Sequence, residues 1–189
     1  MAVDVATTHA PASGLWRVSR SDRPLDPDAP RARDLRGKFT GNRYDVAGVK
    51  TLYFSSTLAG CYTEVLAPLR PSPGLSVLVG DEWDARDHWR PGCIPAGWRH
   101  RRTVTRIKLS RHYQFLDVEH PDSLDYLREG LGAGIATLGY SDLDFGLIHG
   151  PDRRVTRAIA AWAEGDMADD GEHLRFAGIR YVSRLDRAP

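Results

Sequence analysis

At 189 residues, with 41% hydrophobic and 27% charged side chains, the chain has the length for one domain with a sizeable core and the balance of an ordinary globular protein. Its net charge of +1 excludes a bulk field that would draw in nucleic acid or an anionic membrane surface. The sequence holds no apolar run of the roughly eighteen residues a membrane span needs.

The first stretch, "MAVDVATTHAPASG", has neither the basic start nor the apolar run of a signal peptide and reads as a short disordered lead over residues 1–13. "GLWRVSR" (14–20) then opens the ordered domain, 14–189, as a strand. "SDRPLDPDAPRARDLRG" (21–37) is a Pro-, Asp- and Arg-rich loop, and "GKFTGNRYD" (37–45) is turn-like. "VKTLYFS" (49–55) has the Val, Leu, Tyr and Phe content of a strand.

A helix follows, capped by Ser56 or Thr57. In "LAGCYTEVLAPL" the residues Leu58, Tyr62, Val65, Leu66 and Leu69 form an apolar stripe. Glu64 is expected roughly 130° from that stripe, away from the core. "GLSVLVG" (74–80), "TVTRIKLS" (103–110) and "QFLDVEH" (114–120) read as strands, with an irregular segment rich in Trp and His between the first two. "SLDYLREGLGAGIATLG" (123–139) includes a helix expected to end near its glycines. "RRVTRAIAAWAEGD" (153–166) is a helix with Val155, Ile159 and Trp162 on one face, and "GIRYVSR" (178–184) is a closing strand. No internal repeat or low-complexity tract is present, so the pattern predicts one mixed α+β domain.

The common catalytic signatures are missing. "LGAGIA" follows no convincing strand and lacks the third glycine of a dinucleotide fingerprint. The histidines show no HExxH or paired-ligand spacing, so no metal site is expected. There is no GxSxG elbow. Cys61 and Cys93 have no CxxC spacing, which favours reduced thiols and a cytoplasmic chain. Cys61 lies on the apolar flank of its helix and reads as a buried structural thiol. What remains is a set of polar residues at the edges of elements: Arg17, Arg43, Tyr44, Tyr53, Glu64, Ser183 and Arg184. Each alone has an ordinary structural explanation.

Together they resemble the RES domain family. "LWR" (15–17), "GNRYD" (41–45), "LYFS" (52–55), "CYTEVL" (61–66) and "GIRYVSR" (178–184) occur in that family's order, across nearly the whole chain. The family's pattern is an aromatic–arginine pair, a Gly-Arg-aromatic turn, a Tyr-x-Ala strand end, a helix with an internal glutamate, and a Gly-Ile-x-Tyr-x-Ser-Arg strand. Here one residue is inserted in the turn, "GKF" (37–39) offers Lys38 as a competing alignment to Arg43, and Ser55 stands where alanine is usual. Nothing is carried over to residues 80–150.

The resemblance implies an ADP-ribosyltransferase-like fold with a split, mixed β-sheet and flanking helices. It implies an NAD-degrading toxin that breaks the nicotinamide–ribose bond, with water or inorganic phosphate as acceptor. NAD is then a substrate, and no prosthetic group is expected. The implied partner is an Xre-like helix-turn-helix antitoxin; neither direct nucleic-acid binding nor a membrane is expected. By the same resemblance Glu64 is the catalytic carboxylate, Arg17 and Arg43 hold the diphosphate, Tyr53 and Tyr44 stack on nicotinamide or ribose, and Ser183 bonds the ribose or orients Glu64. Two alternatives are a transferase that places ADP-ribose on a macromolecule and an inactive binding protein.

Overall fold

In a computed structural model, the structure describes residues 5–71, 74, 92–168 and 171–185. Strands β1 (Thr7–Thr8), β4 (Phe115–Asp117) and β5 (Gly178–Arg180) form one sheet in the order β1-β4-β5, antiparallel then parallel. Strands β2 (Leu15–Arg20) and β3 (Arg102–Ile107) form a separate antiparallel pair, with Arg17 opposite Thr105. The helices are α1 (Leu58–Val65), α2 (Ala96–His100), α3 (Pro121–Thr137), α4 (Phe145–His149) and α5 (Arg153–Gly165), giving a mixed α+β domain with small sheets and flanking helices. Among the described residues no helix is long and apolar enough to cross a membrane.

The core lies where α3 and α5 cover the three-stranded sheet. Leu124, Leu127, Leu131 and Ile135 recur at helical spacing on α3 and meet Val155, Ile159 and Ala163 of α5, with Leu116 and Val118 beneath. Each such large apolar side chain contributes about 1.5–3 kcal/mol on burial. Helix α3 passes through Gly130, Gly132 and Gly134 and ends at Thr137, just before Gly139 at φ +91°, the last glycine of the stretch. Glycine at 130 lets α5 lie close: a Cβ there would fall 2.7 Å from the Trp162 indole.

Several expectations are corrected. The lead is tied in from residue 5 onward: Thr7 and Thr8 pair with Leu116 and Phe115, and Ser123 donates to the Ala6 carbonyl at 3.2 Å. Residues 49–55 are not a strand, and only Ser55 bridges Trp16. Their place beside β2 is held by that Ser55–Trp16 backbone pair and by Arg17, whose Nη1 donates to the Tyr53 carbonyl at 3.0 Å. The closing strand stops at Arg180, and the segment expected to be irregular contains α2. The strand expected over 74–80 lies outside the described residues except for Gly74.

Helix α1 carries the correction that matters most for function. Thr57 is its cap, accepting from Gly60 N at 3.0 Å. The face it buries is Gly60 and Cys61, against β2, while Tyr62 of the expected stripe is 37% exposed. The Cys61 Sγ reaches the Trp16 carbonyl at 3.3 Å. Small side chains let the helix approach the strand, so packing followed size and not the apolar stripe. Glu64 stands three and four residues after that pair, one turn further along the same side of the helix, and is itself exposed. The stripe residues Tyr62, Leu66 and Leu69 line a separate groove of about 310 Å³ with Pro71 and Ile94.

Candidate active site

The turn at 37–45 is shaped by α5. Asp152 caps that helix through Arg154 N at 3.0 Å and also accepts from the Tyr140 hydroxyl at 2.9 Å. The Arg154 side chain bonds the same carboxylate and, with these hydrogen bonds, holds its pKa well below the usual range. From the capped first turns of the helix, Arg153 N donates to the Lys38 carbonyl at 2.8 Å and Thr156 donates to the Arg43 carbonyl. The nearly buried Arg157 donates to the carbonyls of Thr40 and Gly37 at 2.6 and 2.7 Å. Gly41 takes φ +65° inside this clamp, and a Cβ there would meet Leu35 at 2.4 Å.

That clamp sets Arg43. Its guanidinium donates to the Gly150 carbonyl at 3.1 Å and to the Ile148 carbonyl, gripping the end of α4. Lys38 is 54% exposed and stands 4.0 Å from Asp152.

Tyr44 is buried, 5% exposed, and its ring packs on Tyr181 at 4.8 Å. Its hydroxyl lies near Arg43 without a hydrogen bond of good geometry, and burial pushes its pKa up. A ring so enclosed has no open face to stack on a nicotinamide, so the stacking expected of Tyr44 finds no room here. The Tyr53 hydroxyl joins the same turn, donating to Asp45 at 2.9 Å and accepting from Tyr44 N at 3.1 Å. Burial, then the Asp45 charge, raises its pKa.

Arg17 projects from β2. Its Nε donates to the Pro24 carbonyl at 3.1 Å and its Nη1 to the Tyr53 carbonyl at 3.0 Å. Partial burial lowers its pKa, an effect the neighbouring Cys61 opposes. Arg17 and Tyr53 line a cleft of about 490 Å³ with Ser19, Asp45, Thr51 and Arg102.

Glu64 is an exposed residue, yet its carboxylate has a partner. Its Oε1 accepts from the Ser183 hydroxyl, and Ser183 in turn accepts from Leu185 N at 3.0 Å. Tyr181 lies between charges: burial first and then Glu64 push its pKa up to about 12, while Arg43 opposes them. Arg17 and Glu64 also act with opposite sign on the Cys61 thiol, whose pKa burial pushes up. Thus Glu64, Ser183, Tyr181, Tyr44 and Arg43 form one cluster. Arg17 and Tyr53 adjoin it across Cys61 and Tyr44, on a cleft whose walls include Val65 but not Glu64.

A family model for the RES domain matches residues 14–189. The chain belongs to the RES domain family. No curated protein and no solved structure matches it. In this RES domain, sequence reasoning missed Tyr181 of the cluster and two residues that adjoin it, Glu119 and His149. Tyr181 sits two places before Ser183 in the same motif, a position the sequence pattern alone does not set apart from Tyr44. Glu119 and His149 lie between the family's motifs, in residues 80–150. Glu119 Oε1 accepts from Val182 N at 2.8 Å, and its Oε2 meets His149 Nε2 at 3.0 Å. The signal for Glu119 was the alternation in "QFLDVEH", where Leu116 and Val118 are fully buried and the acidic residues take the other face.

Proposed function

We propose that this RES domain degrades NAD by cleaving the bond between nicotinamide and its ribose. The observation that carries the reading is the Glu64–Ser183 contact, made between two motifs 119 residues apart, with Tyr181 beside it and Arg43 beyond. The family supplies the substrate class. The fold is read as ADP-ribosyltransferase-like, the location as cytoplasmic, and the partner as an Xre-like helix-turn-helix antitoxin covering the site.

The chemistry asks little of proton transfer. As the C1′–N bond breaks, its electron pair goes to the pyridinium nitrogen, and nicotinamide leaves neutral. Positive charge develops on the ribose, as in glycoside hydrolysis. A carboxylate aimed at that carbon stabilises the charge more in the transition state than in the ground state. Glu64 takes this role, and Ser183 orients it by donating to one oxygen, leaving the other for the substrate. An oxygen of water or inorganic phosphate then bonds C1′, and the proton lost by an attacking water passes to solvent.

Arg17 and Arg43 are assigned to the diphosphate. Each has five N–H donors and directs two donor contacts to backbone carbonyls, which fixes the guanidinium and leaves the remaining donors for anionic oxygens. Tyr53 lines the Arg17 cleft and Tyr181 stands next to Glu64, so these two rings are assigned to the ribose and nicotinamide.

The test incubates purified protein with NAD, with and without phosphate, and identifies the products. Free nicotinamide with ADP-ribose, or with its 1″-phosphate, supports the reading. Label from NAD appearing on protein or nucleic acid favours the transferase, and unchanged NAD favours a binding protein.

A further inference from the structure

The parallel ladder between β4 and β5 ends at Asp117 and Arg180, with one further bond from Val118 N to the Arg180 carbonyl at 3.2 Å. Residues 181–184, which carry Tyr181 and Ser183, lie beyond it. A side chain continues what the backbone stops: the Glu119 carboxylate accepts from Val182 N at 2.8 Å, the amide between those two residues. Its other oxygen meets His149 Nε2 at 3.0 Å. The Glu119 side chain is only 17% exposed. A carboxylate so far from water is costly unless both oxygens find donors, and here both do.

His149 closes α4 at the corner that Arg43 grips. Arg43 bonds the carbonyls of Ile148 and Gly150 on either side, and Arg184 Nη1 approaches the His149 carbonyl at 3.4 Å. One carboxylate therefore links the segment bearing Ser183 to the corner bearing Arg43. We infer that Glu119 and His149 are a positioning pair, which holds Ser183 against Glu64 and holds that contact in register with Arg43. The pair touches no reacting atom. It acts through Ser183, and its kinetic role rests on the NAD-cleaving reading above.

Two measurements test it. The first is steady-state NAD consumption by the full chain. Glu119→Ala is expected to lower kcat about tenfold with KM within about twofold, because aim is lost and the arginines remain. Glu119→Gln is expected to recover most of that loss, since the amide oxygen still accepts from Val182 N. A kcat for Glu119→Ala equal to wild type overturns the inference, as does a glutamine variant no better than the alanine one. If Glu119→Ala does not fold, His149→Phe removes the Nε2 contact while keeping a ring; it is expected to lower kcat about threefold, and an unchanged kcat overturns the pair.

The second measurement needs no turnover. In a thermal double-mutant cycle, Glu119→Ala and Ser183→Ala are expected to be non-additive, the double variant losing about 2 °C less than the sum of the singles. Additive losses overturn the inference. A wild-type protein that leaves NAD intact but shows this coupling refutes the NAD reading alone.

Discussion

Glu64 on α1 accepts a hydrogen bond from Ser183, a residue 119 positions away on the segment after β5. The contact fixes one carboxylate oxygen of an otherwise exposed residue. It also explains how a helix glutamate that periodicity turned away from the core stands beside the rings and arginines of the family's other motifs.

Replacing Glu64 by glutamine keeps the size and the acceptor for Ser183 but removes the negative charge. NAD consumption by Glu64→Gln is expected to fall about 100-fold or more, the scale on which a lost electrostatic stabiliser of a developing charge acts. The melting temperature should stay within a few degrees of wild type. Product release followed by chromatography, with Tm measured on the same samples, checks both halves.

Ser183→Ala leaves Glu64 in place without its donor. Hydrogen bonds to charged groups are worth about 1.5–3 kcal/mol, so kcat is expected to drop about 10- to 100-fold. KM should move less, because the side chain acts on Glu64. A kcat unchanged in this variant would remove the orienting role.

The two alignments of the turn make opposite demands. Arg43→Lys replaces a fork that spans the Ile148 and Gly150 carbonyls with a point charge, so KM for NAD should rise about tenfold and Tm should fall. Lys38→Ala removes an exposed side chain 4.0 Å from Asp152 and should leave both kcat and KM within about twofold. Steady-state kinetics of the two variants side by side decide between them.

Asp152 links stability to pH. Its folded pKa lies below the ordinary value, so its contribution is complete above the unfolded pKa of about 3.9 and is lost as pH falls through the folded pKa. Asp152→Asn keeps an N-cap oxygen but loses the charge that Arg154 and Tyr140 satisfy. The variant should be less stable than wild type at pH 7. The gap should narrow as pH drops below about 4, measured as Tm against pH.

How much of this was readable in advance divides by the range of the interactions. Helix α5 was legible because Val155 and Ile159 repeat at a period the chain carries locally, and β2 and β3 were legible from their β-forming residues. The family's motifs named Glu64, Ser183 and Arg43 because residue order is a property of sequence. Residues 49–55 misled because Tyr and Phe content describes a half-buried extended segment equally well with or without a ladder. Glu119 escaped because its significance is a contact with Val182: the alternation in "QFLDVEH" sets it on the face opposite Leu116 and Val118 but does not name the amide it meets.

The amino-acid order alone determined the α+β class, the RES membership and the candidates for the site. Only the folded chain decided which side of α1 is inward, since small Gly60 and Cys61 approach β2 more closely than the bulkier stripe does. It also decided that Tyr181 stands beside Glu64 while Tyr44 is enclosed, and that Arg43 grips the end of α4. The physical reason is the same in each case: periodicity reports which residues share a face, but the partner that face meets is chosen by steric fit and hydrogen bonding between segments 45 to 119 residues apart or more.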